Sequence, residues 1–245
     1  MSAFEWSLAL GAAAAAANVL GGLVILSRST WNELLLKDFL ALSAGFMLAA
    51  TCLRMLPESF ALSPHAPLLI LGGYFLVHFF EHTLTPHFHF GEETHGEAML
   101  HPAAGYSALL GLSIHTFFDG VSIASGFLVS VPLGLLIFGA VALHKLPEGF
   151  TVATIALASG RGKRGALVAA GILAAATLAG VLGMHLLAPA VAYALPFSTG
   201  VTLYVAATDL MPEVNEERGW RMAMLVFVGV ALFWLSEHAL EALGL

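Results

Sequence analysis

The sequence is poor in charged residues and in cysteine. Only 10% of its 245 residues are charged, compared with roughly 25% in soluble domains. Cys52 is the only cysteine, which excludes an intrachain disulfide and a cluster of thiolate metal ligands. The formal net charge is −7 and no basic face is clustered, so we expect no nucleic-acid partner. Most of the remainder is apolar, with 59% hydrophobic residues and a mean hydropathy of +0.89. This composition indicates an integral protein of the lipid bilayer.

Long apolar segments divide the chain. A helix needs about 20 residues to cross the roughly 30 Å of hydrocarbon in a bilayer. Counting segments of about this length gives eight, which predicts an all-α membrane protein with one polytopic transmembrane domain over residues 1–245. The predicted spans are Trp6–Leu26, Phe39–Leu56, Leu68–His82, Tyr106–Val129, Pro132–Ala158, Ala166–Leu187, Ala192–Met211 and Met222–Leu243.

The cationic residues are distributed unevenly between the two sides of this eight-span arrangement. Only Arg54 lies near the opposite side, and Lys145 falls in mid-membrane. Because cytoplasmic loops carry the excess of lysine and arginine, the basic side is predicted to be cytoplasmic. Both termini then lie outside a plasma (inner) membrane. The residues on the basic side are Arg28, Lys37, Arg161, Lys163, Arg164, Arg218 and Arg221.

The connection between the third and fourth spans, about residues 83–103, is rich in histidine and glutamate and is predicted to be cytoplasmic. Histidine-rich tracts often bind transition metals loosely, although a solvated disordered loop is the alternative. The histidines in and before this loop are His78, His82, His87, His89, His95 and His101.

One short pattern occurs in both central spans. The fourth span contains HTFFDG and the fifth contains HKLPEG. In each, a histidine (His115, His144) precedes a carboxylate (Asp119, Glu148) by four residues, and helical residues four apart share a face. A lone intramembrane histidine often makes only an interhelical hydrogen bond. Two such pairs, however, bring together two imidazoles and two carboxylates, a set that suits Zn²⁺ and also Fe²⁺, Mn²⁺, Co²⁺ or Cd²⁺.

Lys145 directly follows one of these predicted ligands. An ammonium group beside a cation is repelled by it, so we interpret Lys145 as a charge-compensating residue where a second cation would otherwise bind. The alternatives are that it snorkels to the interface or pairs with a carboxylate such as Asp209 or Glu58. These two and Glu213 flank helix ends, where they either attract cations to the pathway mouths or serve as ordinary helix-end carboxylates.

A weak repeat relates the second and seventh spans. GFMLAATCLRMLPE begins at Gly45 and GVTLYVAATDLMPE begins at Gly200. Both end in Pro-Glu, at Pro57 and Pro212. The spans lie symmetrically around the central fourth and fifth spans. This arrangement predicts an inverted repeat, as in many secondary transporters with midplane sites.

On these motifs, the chain resembles the ZIP (ZRT/IRT-like) family of divalent-metal transporters over essentially its full length. That family typically has HNxPEG in span four and a similar histidine-proline-glutamate motif in span five. The resemblance implies that His115, Asp119, His144 and Glu148 line the primary metal site, with Met47 in span two as an additional contact. Thr116, Lys145 and a sixth span without an acidic residue depart from the second adjacent site of many members, so we predict a single ion.

The predicted function is transport of a divalent transition metal, most favourably Zn²⁺, into the cytoplasm by alternating access. We expect no enzymatic activity and no cofactor other than the transported metal, and a homodimer is left open. The alternative is an intramembrane metal-dependent hydrolase, which needs an activated metal-bound water and a nearby general base. No HExxH motif occurs in the sequence, and the repeat and the histidine-rich loop favour transport.

Overall fold

The computed structural model describes residues 1–27, 33–84, 102–217 and 219–244. All the regular elements of these residues are helices, and ten of them are α-helices. They are α1 (Ala3–Ser27), α2 (Glu33–Ala50), α3 (Leu56–Leu62), α4 (Ala66–Leu84), α5 (Pro102–Val129), α6 (Val131–Ala158), α7 (Gly162–Leu186), α8 (Val191–Tyr204), α9 (Met211–Glu216) and α10 (Trp220–Ala242). A 3₁₀ turn (Ala188–Ala190) precedes α8, and two π-helical turns (Thr51–Met55, Val205–Leu210) follow α2 and α8.

Seven helical runs in the described part of the chain are long and apolar enough to cross a membrane. They correspond to every predicted span except the third, and α2 with α3 and α8 with α9 each form one continuous run. The predicted third span is α4, a helix of 19 residues that falls outside those seven. Its mean hydropathy is lowered by two glycines and by His78, Glu81 and His82 near its end. The prediction of an all-α, multi-pass membrane protein is confirmed.

Local sequence features explain where the helices of the central hairpin, α5 and α6, begin and end. After α5 ends at Val129, the Ser130 side chain caps α6 by accepting a hydrogen bond from the Leu133 amide, and a proline occupies the first turn. Both features favour a helix start. At its other end, α6 is followed by Gly160 and Gly162 with φ of 81° and 64°, a left-handed conformation that glycine adopts without strain. The hairpin therefore places α5 and α6 antiparallel at the centre.

Glycine pairs bring the helices into backbone contact at four crossings. A Cβ atom at any of these glycines would lie 1.9–2.2 Å from a carbonyl oxygen of the facing helix, far closer than van der Waals contact. Small residues allow such close approach between membrane helices. The pairs are Gly21/Gly149 between α1 and α6, Gly120/Gly180 between α5 and α7, Gly45/Gly229 between α2 and α10, and Gly73/Gly200 between α4 and α8.

These crossings support the predicted inverted repeat. The contact of α2 with α10 through Gly45 corresponds to the contact of α8 with α4 through Gly200. The crossing of α1 with α6 likewise corresponds to that of α7 with α5. Five predicted membrane spans precede α7, so the second copy of the repeat is predicted to enter the membrane from the side opposite to the first.

The two π-helical turns are a further shared feature of the repeats. Each lies just before the matched proline, Pro57 or Pro212. Proline lacks an amide hydrogen and its ring clashes with the carbonyl four residues earlier, and a wider π turn relieves that clash. The sequence match in this segment therefore reflects a shared backbone distortion.

Candidate metal centre

The four predicted ligands meet where α5 and α6 face each other. His115 and Asp119 lie on α5, His144 and Glu148 lie on α6, and all four side chains are buried. One ligand atom from each residue lies within 4.8 Å of the others. Spacings of this size fit donors around a common cation, since metal–ligand distances of about 2.0–2.2 Å place ligands roughly 3–4 Å apart.

The contacts run between the helices and not within each motif. His115 Nε2 lies 3.1 Å from Glu148 Oε1, and His144 Nε2 lies 3.3 Å from Asp119 Oδ2. His144 Nδ1 lies 3.1 Å from the Ala140 carbonyl oxygen. If Nδ1 donates to that carbonyl, the Nε2 of a neutral imidazole presents a lone pair toward the Asp119 carboxylate. Two lone pairs facing each other call for a cation between them.

His115 is the least satisfied of the four side chains. Neither of its ring nitrogens makes a hydrogen bond with good geometry among the described residues, even though Nε2 is close to Glu148. Buried polar atoms are almost always hydrogen-bonded, and a buried imidazole without such bonds retains a lone pair for a metal. His115 is therefore available as a ligand.

Lys145 lies between the two carboxylates. It is fully buried, and its Nζ lies 2.6 Å from Asp119 Oδ2 and 2.5 Å from Glu148 Oε2. It pairs with neither of the alternative carboxylates, Asp209 and Glu58, in the described contacts. With both histidines neutral, two carboxylates and one ammonium leave the cluster one negative charge.

Two neutral side chains complete the contacts of Glu148. Thr116 donates a hydrogen bond to Oε1 and accepts one of 3.1 Å from Lys145 Nζ. Asn18 on α1 is fully buried. With its amide nitrogen facing these acceptors, it donates to the Lys145 carbonyl oxygen at 2.6 Å and to Glu148 Oε2 at 3.2 Å. The sequence analysis did not identify Asn18. Its one signal was a strongly polar side chain inside the alanine-rich first span.

A small cavity, lined entirely by buried residues, adjoins the centre on one side. Its wall includes three site residues and the buried carboxylate of Asp209, whose Oδ2 has no hydrogen-bond partner in the described part of the chain. The residues lining it are Leu40, His115, His144, Pro147, Glu148, Val205, Asp209 and Leu210. Leu40 lies near the start of α2 and Asp209 near the end of the run that contains α8, which is the predicted cytoplasmic half.

Apolar packing closes the other half. Met55, Phe127, Ile137 and Leu195 belong to one buried hydrophobic cluster. Phe127 follows the site along α5 and Ile137 precedes it along α6, so the cluster lies toward the hairpin end at Ser130. The centre thus adjoins a small buried cavity on one side and a buried apolar cluster on the other.

Two other predicted features, Met47 and the histidines of the loop, are not part of the four-residue cluster. Met47 is fully buried in the hydrophobic cluster formed with Phe46, Leu136 and Phe233, and it is not among the residues lining the cavity. His87, His89, His95 and His101 lie outside the described residues. His78 and His82 are on α4, where their rings are 4.0 Å apart.

Comparisons with known proteins identify the family of the chain. The ZIP Zinc transporter family model matches residues 91–236, more than half of the chain. Zinc transporter ZIP13 of Danio rerio is 30% identical over 151 residues, covering 56% of this chain and 42% of the relative. ZIP13 of Homo sapiens is 31% identical over 149 residues, covering 54% and 40%. Human zinc transporter ZIP4 is 32% identical over 135 residues, covering 53% and 21%. The alignments thus span less than half the length of these relatives. The chain belongs to the ZIP zinc transporter family.

Proposed function

We propose that the protein transports divalent transition metals, with Zn²⁺ as the preferred cargo, into the cytoplasm. The observation that carries this proposal is the buried cluster of His115, Asp119, His144 and Glu148, with one ligand atom each within 4.8 Å. Two imidazoles and two carboxylates match the ligands that Zn²⁺ prefers. The relatives are named as zinc transporters, and no observation favours a hydrolase.

A single ion fits the charge of the site. Lys145 Nζ contacts both carboxylates at 2.6 and 2.5 Å. Its ammonium group therefore occupies the side of the cluster where a second cation would bind, and it already compensates the negative charge that a second cation would need there. One M²⁺ added to a cluster of charge −1 leaves +1, whereas two ions would leave +3 in a buried environment. Such an excess is costly at membrane depth.

The cavity and the apolar cluster fit one half of an alternating-access cycle. A metal at the centre would move toward Asp209 along the buried cavity beside Val205 and Leu210, where a separation of the helices would open its exit, while Met55 and Phe127 close the other side. A rearrangement that exchanges open and closed sides would expose the site to the opposite face. The inverted repeat provides two related packings for such an exchange.

Zinc flux into proteoliposomes tests this function. The full-length protein is reconstituted into vesicles that contain a zinc-sensitive dye, and uptake is compared for wild type, His115→Ala and His238→Ala. We expect uptake by wild type and by His238→Ala, whose histidine is exposed on α10, and uptake reduced at least tenfold in His115→Ala. Flux no greater than in empty vesicles, or equal flux in His115→Ala and wild type, would refute the proposal. Competition with Fe²⁺, Mn²⁺, Co²⁺ and Cd²⁺ then ranks the metals.

A further inference from the structure

Asn18 is held against the metal centre by the backbone of its own helix. At the crossing of α1 with α6, a Cβ atom on Gly149 would lie 2.0 Å from the Asn18 carbonyl oxygen, and one on Gly21 would lie 2.2 Å from the Leu146 carbonyl oxygen. The two backbones therefore touch at Asn18 itself and again one turn later, at Gly21. Its side chain has little freedom and is confined to the segment 145–148.

With its nitrogen facing this segment, the side-chain amide of Asn18 donates hydrogen bonds to two acceptors in it. These are the Lys145 carbonyl oxygen at 2.6 Å and Glu148 Oε2 at 3.2 Å. Glu148 Oε2 also contacts Lys145 Nζ, and its Oε1 contacts His115 and Thr116. Both oxygens of Glu148 are thus held in place, whereas the contacts of Asp119 with Lys145 and His144 are both on Oδ2.

The related crossing shows that an amide is not a general requirement of this packing. At the contact of α7 with α5, the residue whose carbonyl oxygen meets the glycine is Thr177. Its hydroxyl donates to the Leu173 carbonyl of its own helix at 3.3 Å. Of these two crossings, only that of α1 with α6, the helix that carries Lys145, therefore has a polar donor directed at the site.

We infer that Asn18 is a positioning residue of the metal centre, which fixes the Glu148 carboxylate so that Oε1 faces the ion while Oε2 stays with Lys145. The inference rests on the proposed function, because it assigns Asn18 a role in binding the cargo. Groups that orient a metal ligand through a hydrogen bond typically contribute 10–100-fold to metal affinity. Loss of the amide would let Glu148 rotate toward Lys145 and weaken its ligation.

Zinc affinity of the purified full-length protein in detergent tests the role of Asn18. Competition with a chromophoric chelator is measured for wild type, Asn18→Ala and Asn18→Leu, the second of which keeps the branched shape of the side chain but removes its polar atoms. Ser7→Ala is the matched control, since Ser7 is buried on the same helix and its hydroxyl donates to the Ala3 carbonyl oxygen, its one hydrogen bond among the described residues. We expect both Asn18 variants to bind zinc at least tenfold more weakly than wild type, and Ser7→Ala to remain within twofold.

A double-mutant cycle separates positioning from a general effect on the fold. If Asn18 acts through Glu148, Asn18→Ala changes affinity less than twofold in a Glu148→Ala background. An Asn18 effect no larger than that of Ser7→Ala, or an equal loss in both backgrounds, overturns the inference and leaves the proposed function intact. Failure of the proposed function has a different signature, in which wild type and His115→Ala bind zinc equally or not at all.

Discussion

Lys145 sets the charge balance of the metal centre. Its ammonium group is fully buried and lies within 2.6 Å of a carboxylate oxygen from each of the two helices. Replacing it with aspartate removes one positive charge and adds a third carboxylate, which changes the cluster from −1 to −3. We therefore expect Lys145→Asp to hold two zinc ions where wild type holds one, as measured by elemental analysis after dialysis against buffered zinc.

Lys163, which is exposed in the first turn of α7, provides the control for this change. Lys163→Asp alters the net charge of the protein equally but lies outside the site, so its metal content should equal that of wild type. One ion in Lys145→Asp, together with unchanged binding and transport in Lys145→Ala, would show that Lys145 does not take the place of a second cation.

The sequence predicted which residues gather at the centre but not how they pair. Residues four apart on a helix share a face whatever surrounds them, so the motifs of α5 and α6 sufficed to identify His115, Asp119, His144 and Glu148. The cross-helix contacts, such as His115 with Glu148, depend on the register of the two helices, which spacing within one helix does not contain. Asn18 comes from a third helix, α1, and was missed for the same reason.

At the scale of elements, the crossing of α1 and α6 depends on Gly149. A Cβ atom there would lie 2.0 Å from the Asn18 carbonyl oxygen and 2.7–2.8 Å from two further backbone atoms, so the helices must separate to accept alanine. Overpacking of this kind costs about 1–3 kcal/mol. We expect Gly149→Ala to lower the melting temperature on the order of 5 °C and to weaken zinc binding by moving Asn18 away from Glu148.

Gly171 on α7 provides the comparison. A Cβ atom at Gly171 meets nothing within 4 Å, and alanine is the better helix former by roughly 1 kcal/mol. Gly171→Ala should therefore leave the melting temperature unchanged or raise it. Equal melting temperatures for Gly149→Ala, Gly171→Ala and wild type would contradict the close approach of the two backbones.

The repeat could be predicted from the sequence, but the contacts that equivalent residues make in its two copies could not. Matching Pro57 with Pro212 predicted that the two segments correspond, and both contain a π-helical turn. In that correspondence Arg54 is equivalent to Asp209. Arg54 Nε lies 2.7 Å from Glu237 on α10, whereas Asp209 lines the cavity of the metal centre. Similar backbones thus carry opposite charges toward the two ends of the molecule, and only tertiary packing reveals their partners.

At the scale of the whole molecule, three of the described basic residues make contacts between helix ends that are predicted to be cytoplasmic. Lys37 pairs with Glu217 and Arg221 pairs with Asp38, which joins the start of α2 to the segment between α9 and α10. Arg161 lies 3.5 Å from the centre of the Tyr106 ring at the start of α5. The ends of helices predicted to share the cytoplasmic side are therefore in contact in the fold, as the orientation from the charge pattern requires.

Sided labelling tests that orientation, and with it which face of the membrane lies on the Asp209 side of the site. Cys52 is the only cysteine, so Cys52→Ser gives a background for single cysteines at Ser2 and Lys163, both exposed. Because basic loops remain cytoplasmic, a membrane-impermeant maleimide applied to intact cells should label Ser2→Cys and reach Lys163→Cys only after permeabilisation. The reverse pattern would place the Asp209 side of the site toward the outer face and would contradict the orientation predicted from the charge pattern.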